Sequence, residues 1–319
     1  MTEKRFDVLV AGELNIDLIL DQLETFPVVG KEIIAGKSLL TLGSSAAIFA
    51  SNLSAFGSSV SFCGRIGSDS FADKILHDLK AKNVYTVYIS KSTTADTGIT
   101  VAFNYNQDRA MVTYPGAMLE LKGSDITDDM LASAKHLHVS SIFLQPALKS
   151  GLTALFKRAK QCALTTSLDT QWDPAEEWEF DKENLLPHVD VFLPNIEELK
   201  NITQQSSVED AVKSLKDYAN IIVVKDGING AFVFHKGEYF HQPAFINHDF
   251  ADAIGAGDSF NAGFIHRFLQ KQSLKSCAEL GAVSGAINTT SSGGTTAFSN
   301  PETIKKIALE KLNYNIECY

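Results

Sequence analysis

Paired cysteines are missing from this chain. Its four cysteines, Cys63, Cys162, Cys277 and Cys318, lie far apart with no C-x-x-C pair. That argues against a disulfide frame or a zinc site and for reduced, mostly buried thiols. Long apolar runs are missing too. No window approaches the roughly 18 apolar residues that span a bilayer. The apolar stretch around Val8 to Ala11 is too short for a signal sequence, and an acid soon follows it. There is no basic surplus: 28 Lys and Arg face 38 Asp and Glu, a formal net charge of -10. Such a chain is poorly suited to nucleic-acid phosphates or to an acidic membrane. No G-x-S-x-G elbow, H-E-x-x-H pair, low-complexity tract or internal repeat occurs. The expectation from these absences is a cytoplasmic, soluble protein.

What is present is an alternation. Short apolar runs, "FDVLVAG" (6–12), "SVSFCGRIG" (59–67), "HLHVSSIF" (136–143), "LTTSLDT" (164–170), "VDVFLPN" (189–195) and "NIIVVKDG" (220–227), suit strands buried on both faces. Helical patterns lie between them at 45–57, 70–83, 147–162, 195–203 and 207–218. This predicts an α/β protein with a mostly parallel sheet, whose ligands bind beyond the carboxyl ends of the strands. Two segments break the rhythm. Residues 16–40 show no convincing helix, and residues 97–115 read as a hairpin with Asn104 to Arg109 near its turn. Both are expected to form a small discontinuous sheet over the strand ends of one 1–319 domain.

The stretch "DAIGAGDSFNAGF" (252–264) concentrates the chemistry. Gly255, Ala256 and Gly257 precede an apolar helical pattern, and bare backbone at a helix start favours an anion. Yet Asp258 stands among them. Two unit charges about 4 Å apart repel by roughly 4 kcal/mol at an effective dielectric near 20. The acid makes sense if it faces an incoming hydroxyl and takes its proton during attack on phosphorus. It also makes sense as a plain first-turn acid that stabilises the helix dipole. The residues alone leave both readings open.

Other constellations are similarly two-sided. "LPNIEEL" (193–199) offers Asn195 and Glu198 as a capping box. "VVKDGINGAFVF" (223–234) reads as strand, turn at Gly227 and Gly230, and strand. "AGELNIDLIL" (11–20) places Asn15 and Asp17 at a strand end, where turn chemistry is common. His136 and His138 share a strand face without a nearby third metal ligand, and Trp172 and Trp178 read as packing.

"DAIGAGDSFNAGF" resembles the D-T-x-G-A-G-D signature of the ribokinase-like (phosphofructokinase B) carbohydrate kinases, with Ala253 in place of Thr. The likeness runs along nearly the whole chain: "LGSSAAIFASNLSAFG" (42–57), "GRIGSDSFAD" (64–73), "TYPGAM" (113–118) and "SLDTQWDPAEEW" (167–178) have family counterparts. Departures are Ser44 for a glycine, Ile48 for an asparagine, Ala72 for a glycine and Asp173 where an arginine is common. The resemblance implies a three-layer α/β/α fold with a small β-sheet lid, and ATP-dependent phosphorylation of a primary hydroxyl on a sugar-like molecule. By resemblance, Asp258 is the general base, and Gly255, Ala256 and Gly257 form the anion hole. Asn195, Lys225, Gly227 and Gly230 approach the nucleotide, with 283–294 bordering the adenine and the cation. Glu198 tends Mg²⁺ through water, and Asp252 is the candidate for a monovalent cation such as K⁺. Asn15, Asp17, Gly43 and Ser44 hold the acceptor, whose pocket Ile48 is expected to make more apolar. A homodimer through the lid is also implied. The alternatives are a nucleoside kinase on the same scaffold and a catalytically weak ligand-binding or regulatory member.

Overall fold

The structure is a computed structural model that describes residues 4–105 and 108–316. Among the described residues thirteen strands form two sheets. Those of the larger sheet are β1 (Phe6–Ala11), β4 (Val60–Ile66), β5 (Tyr85–Lys91), β8 (Ala134–Ser140), β9 (Thr165–Asp169), β10 (Val191–Phe192), β11 (Ile221–Lys225), β12 (Ala231–His235) and β13 (Glu238–Gln242). Their order is β13-β12-β11-β10-β9-β8-β1-β4-β5. Pairing is parallel from β5 across to β11 and antiparallel from β11 through β12 to β13.

The continuous apolar strands follow from burial on both faces. Along β1, Val8 and Val10 enter one core with Phe49, Phe260 and Phe264 from the helices Ser45–Ala55 and Ala256–Leu269. Leu9 and Ala11 enter the other with Leu155 and Phe156 of the helix Leu152–Gln161. The fold is thus the three-layer arrangement expected. The pattern at 147–162 is two helices, Pro146–Ser150 and Leu152–Gln161, parted at Gly151. Strands β5 and β13 and the helices Leu274–Asn288 and Pro301–Leu312 complete it.

The smaller sheet is built from the two arrhythmic segments: β2 (Asn15–Asp21), β3 (Lys37–Leu42), β6 (Gly98–Tyr105) and β7 (Asp108–Tyr114), in the order β3-β2-β6-β7. The tip of the predicted hairpin, 106–107, lies outside the described residues. Because β2 follows β1 after three residues, the small sheet starts at the carboxyl edge of the large one. Cys63 and Cys277 are free and buried, Cys162 is free and half-buried, and Cys318 lies outside the described residues. Among the described residues no helix is long and apolar enough to cross a membrane.

Behind the site the helix Ala256–Leu269 packs against Leu274–Asn288. A Cβ on Gly263 would lie 2.2 Å from Ser284 Oγ and 2.6 Å from the Leu280 carbonyl. Gly263→Ala should therefore cost about 2–3 kcal/mol by overpacking, lowering the melting temperature by about 4 °C. Thermal unfolding followed by circular dichroism checks this, and an unchanged melting temperature would contradict the packing described.

Candidate active site

Sheet topology brings the polar strand ends together. Glu13 follows β1, Ser141 follows β8, Gln171 follows β9, Asn195 follows β10, and Lys225 ends β11. Facing them is the amino end of the helix Ala256–Leu269. Its N-cap is Gly255 at φ 76°, ψ 8°, the left-handed region where a side chain is disfavoured. A Cβ there would also lie 2.8 Å from Gly294 Cα. Of the three loop residues expected to face an anion, Ala256 already donates its N–H to the Ala253 carbonyl at 3.2 Å. The 253–256 turn that seats Gly255 uses that amide.

Asp258 is buried in the first helical turn. Its Oδ1 accepts from Ser45 Oγ at 2.5 Å and from Gln171 Nε2 at 3.0 Å. Gln171 Nε2 also reaches Asp169 Oδ2 and Ser45 Oγ, each at 3.0 Å. Asp169 accepts further from Asn261 Nδ2 at 2.5 Å and forms an ion pair with Lys225 Nζ at 2.6 Å. Burial pulls the Lys225 ammonium down, but Asp169 and Glu198 outweigh it and hold the ammonium above its ordinary value. Lys225 Nζ lies 3.7 Å from where a Cβ on Gly257 would be.

Asn195 and Glu198 form the capping box: Asn195 Oδ1 accepts from Glu198 N–H at 2.9 Å, and Glu198 Oε2 accepts from Asn195 N–H at 2.9 Å. Glu198 Oε1 also accepts from Asn195 Nδ2 at 2.5 Å. Burial, then Asp169, hold the Glu198 carboxyl well above its ordinary value. Asp252 ties the loop down by accepting from Ile254 N–H and Gly293 N–H, each at 3.0 Å.

The acceptor-side candidates also meet. Asn15 Nδ2 donates to Asp17 Oδ1 at 2.9 Å and to Thr100 Oγ1 at 3.0 Å, linking β2 to β6. Gly43 lies against this pair so closely that a Cβ would be 2.0 Å from Asp17 Oδ1. Ser44 caps the helix Ser45–Ala55 by accepting from Ala47 N–H at 3.2 Å, and its hydroxyl donates to the Glu13 carbonyl at 2.5 Å. Burial, with Asp258 and Asp252 adding repulsion, pushes Asp17 up to about 7. Ile48 is 3% exposed, and its methyl groups pack towards Gly255 and Gly294, against the glycine loop.

On the far side of the loop is a cleft of about 240 Å³. Its walls include Lys225, Gly227, Gly230, Phe245, Phe250 and Gly285, and Ala282, Ala286 and Thr289 also belong to it. Gly230, at φ 100°, owes its identity to the sheet: a Cβ would lie 2.0 Å from the Gln242 carbonyl. His136 and His138 are buried and bridged by Ser167 Oγ at 2.7 Å from each ring, and burial depresses both. Trp172 and Trp178 pack edge to face at 4.8 Å.

Sequence reading missed Glu13, Ser45, Asp169, Gln171 and Asn261. Asp169 and Gln171 lay inside a quoted motif, and their place at a strand's carboxyl end was the available signal. Glu13 is 1% exposed and accepts from Ala46 N–H at 3.1 Å and Gln145 Nε2 at 3.3 Å. Burial, then repulsion from Asp258 among its charged neighbours, pushes its carboxyl from 4.5 to about 7. The folded state therefore holds this proton more tightly than the unfolded one. Glu13 thus makes stability fall as pH rises from about 4.5 through about 7. Between pH 4 and pH 8, urea unfolding should show the stability of Glu13→Gln improving relative to the parent by about 3 kcal/mol. A gap that does not move with pH would overturn this account of Glu13.

Residues 5–302 match the model of the pfkB family carbohydrate kinases. The chain is similar to a ribokinase from Lactococcus lactis, 26% identical over 285 residues that cover 88% of this chain and 90% of that protein. Among solved structures, adenosine kinase from Sinorhizobium meliloti superposes with a TM-score of 0.84 at 21% identity, over 95% of this chain and 100% of that one. An E. coli protein described as a putative ribokinase II, in complex with ATP and Mg²⁺, superposes with a TM-score of 0.81 at 20% identity, over 94% of this chain and 98% of that one. With a matched segment that spans both sheets and the glycine loop, the chain belongs to the pfkB family of carbohydrate kinases.

Proposed function

We propose that this protein transfers the γ-phosphoryl group of ATP to a primary hydroxyl of a sugar or sugar-like molecule, with Asp258 as general base. The observation that carries this reading is the hydroxyl already on Asp258. Ser45 Oγ donates to Oδ1 at 2.5 Å, the bond an acceptor alcohol would make. On the acceptor side, Asp17 and Asn15 orient hydroxyls, with Gly43 and Ser44 shaping the wall. On the other side, the apolar cleft beside Lys225, Gly227 and Gly230 suits a purine ring. The N–H of Gly257 and the Lys225 ammonium face the phosphates, with the helix dipole favouring their charge.

In the transfer itself, the acceptor oxygen forms its bond to phosphorus as Asp258 takes the proton, and the bond to the leaving ADP oxygen breaks. Gln171 keeps Asp258 aimed by sharing one amide between it and Asp169. The small sheet acts as a lid that excludes water.

Mg²⁺ fits the donor set. Among the described residues no three His, Cys, Asp or Glu side chains converge as a protein cage, which suits an ion held mostly by water and phosphate. Glu198, with both oxygens engaged by Asn195, would hold it through water. When bound, Mg²⁺ neutralises phosphate charge. K⁺ beside Asp252 and a homodimer through the small sheet belong to the same proposal. Leu40, Met111, Val112 and Tyr114 are exposed apolar residues on that sheet.

The test is ADP release from Mg·ATP across pentoses, hexoses and nucleosides. Asp258→Asn should lower turnover by roughly 10²–10⁴-fold while leaving nucleotide affinity, measured by calorimetry, unchanged. Turnover equal to the parent's would remove Asp258 as the base.

A further inference from the structure

Ser44 and Ser45 are neighbours with different surroundings. Ser44 is buried and its hydroxyl serves the fold. It donates to the Glu13 carbonyl at 2.5 Å and accepts from Ala47 N–H at 3.2 Å, as the N-cap of the helix Ser45–Ala55. Ser45, the first residue of that helix, is half-buried and turns its hydroxyl to Asp258. Three contacts close a triangle there. Ser45 Oγ donates to Asp258 Oδ1 at 2.5 Å, and Gln171 Nε2 reaches both of these oxygens at 3.0 Å. The backbone on either side of Ser45 is pinned, by the Ser44 cap and by Ala46 N–H, which donates to Glu13 Oε1 at 3.1 Å. The hydroxyl can therefore leave Asp258 by rotating about its own Cα–Cβ bond while the chain stays in place.

Resting on the kinase reading above, we propose that Ser45 is a modification site: without an acceptor bound, its hydroxyl takes the γ-phosphoryl group of Mg·ATP in the acceptor's place. In that reading the acceptor hydroxyl donates to Asp258, and Ser45 Oγ already makes this bond. The Ser45 Oγ–P bond forms, the bond from phosphorus to the leaving ADP oxygen breaks, and the serine proton goes to Asp258. The product is also favoured where it forms. Ser45 and Asp258 lie in the first turns of two helices, Ser45–Ala55 and Ala256–Leu269, and the contact between them brings the two amino ends together. Both dipoles favour a phosphate there. A phosphoserine carries a charge of roughly −1.5 to −2 and fills the acceptor's seat. An acceptor that displaces the Ser45 hydroxyl from Asp258 protects it, so the modification belongs to the acceptor-starved enzyme.

The experiment incubates the purified chain with Mg·ATP and no acceptor, and reads the intact mass before and after, then the phosphopeptides. The expected result is a gain of one phosphoryl group, mapped to Ser45 and not to Ser44. Its rate should fall at least about 100-fold in Asp258→Asn, and the gain should vanish in Ser45→Ala. Calorimetry with ATP shows whether Ser45→Ala is folded; if it is not, the phosphopeptide map of the parent decides. Phosphate on another residue, a gain on Ser45 that Asp258→Asn does not slow, or no gain while a sugar or nucleoside is turned over, overturns the inference and leaves the kinase reading intact. No gain and no turnover of any sugar or nucleoside, with ATP still bound, overturns the kinase reading, and the inference falls with it.

Discussion

Asp169 ends β9 with its side chain shut off from water, and three donors converge on its Oδ2. Lys225 approaches at 2.6 Å from the end of β11, and Asn261 at 2.5 Å from the long helix. Gln171 approaches at 3.0 Å from the loop that follows. Taking a carboxylate and an ammonium out of water costs several kcal/mol per ion, and breaking such a pair typically costs 3–5 kcal/mol. The geometry of the site hangs on this cluster. It fixes Lys225 beside Gly257, sets Gln171 against Asp258, and locks Asn261 on the same helix as Asp258, one turn further along. A displaced Asp169 would move all three at once.

Around that cluster the site is rich in acid. Glu13, Asp17 and Glu198 are all held above the usual carboxylate range, chiefly by burial. Lys225 is held above its own ordinary value by the acids beside it. In the proposed reading that surplus is divided by function: Glu198 lies with Lys225 on the nucleotide side, and Asp17 lies on the acceptor side with hydroxyls to meet. Asp258 would stand between the two, which would account for a carboxylate at a helix start otherwise shaped for an anion.

Local features were legible in the sequence. Asn195 and Glu198 are three residues apart, so a single helical turn makes their capping box. Gly255 to Asp258 read as a glycine turn into a helix because turn and helix are both short-range. Gly43 could be named but not explained, since its constraint is the Asp17 carboxylate, 26 positions earlier in the chain. The surroundings of Ile48 were hidden for the same reason: its neighbours Gly255 and Gly294 are more than 200 positions away.

By itself, then, the sequence determined the alternation of elements, the glycine turn with its acid, and the capped helix of Asn195, because each depends on spacing within a turn or a strand. Tertiary structure alone decided which polar groups converge. Asp169 meets Lys225 across 56 positions and Asn261 across 92, and Ser45 meets Asp258 across 213. Those encounters are set by the order of parallel strands and by desolvation of the charges between them. Neither quantity exists until the chain is folded.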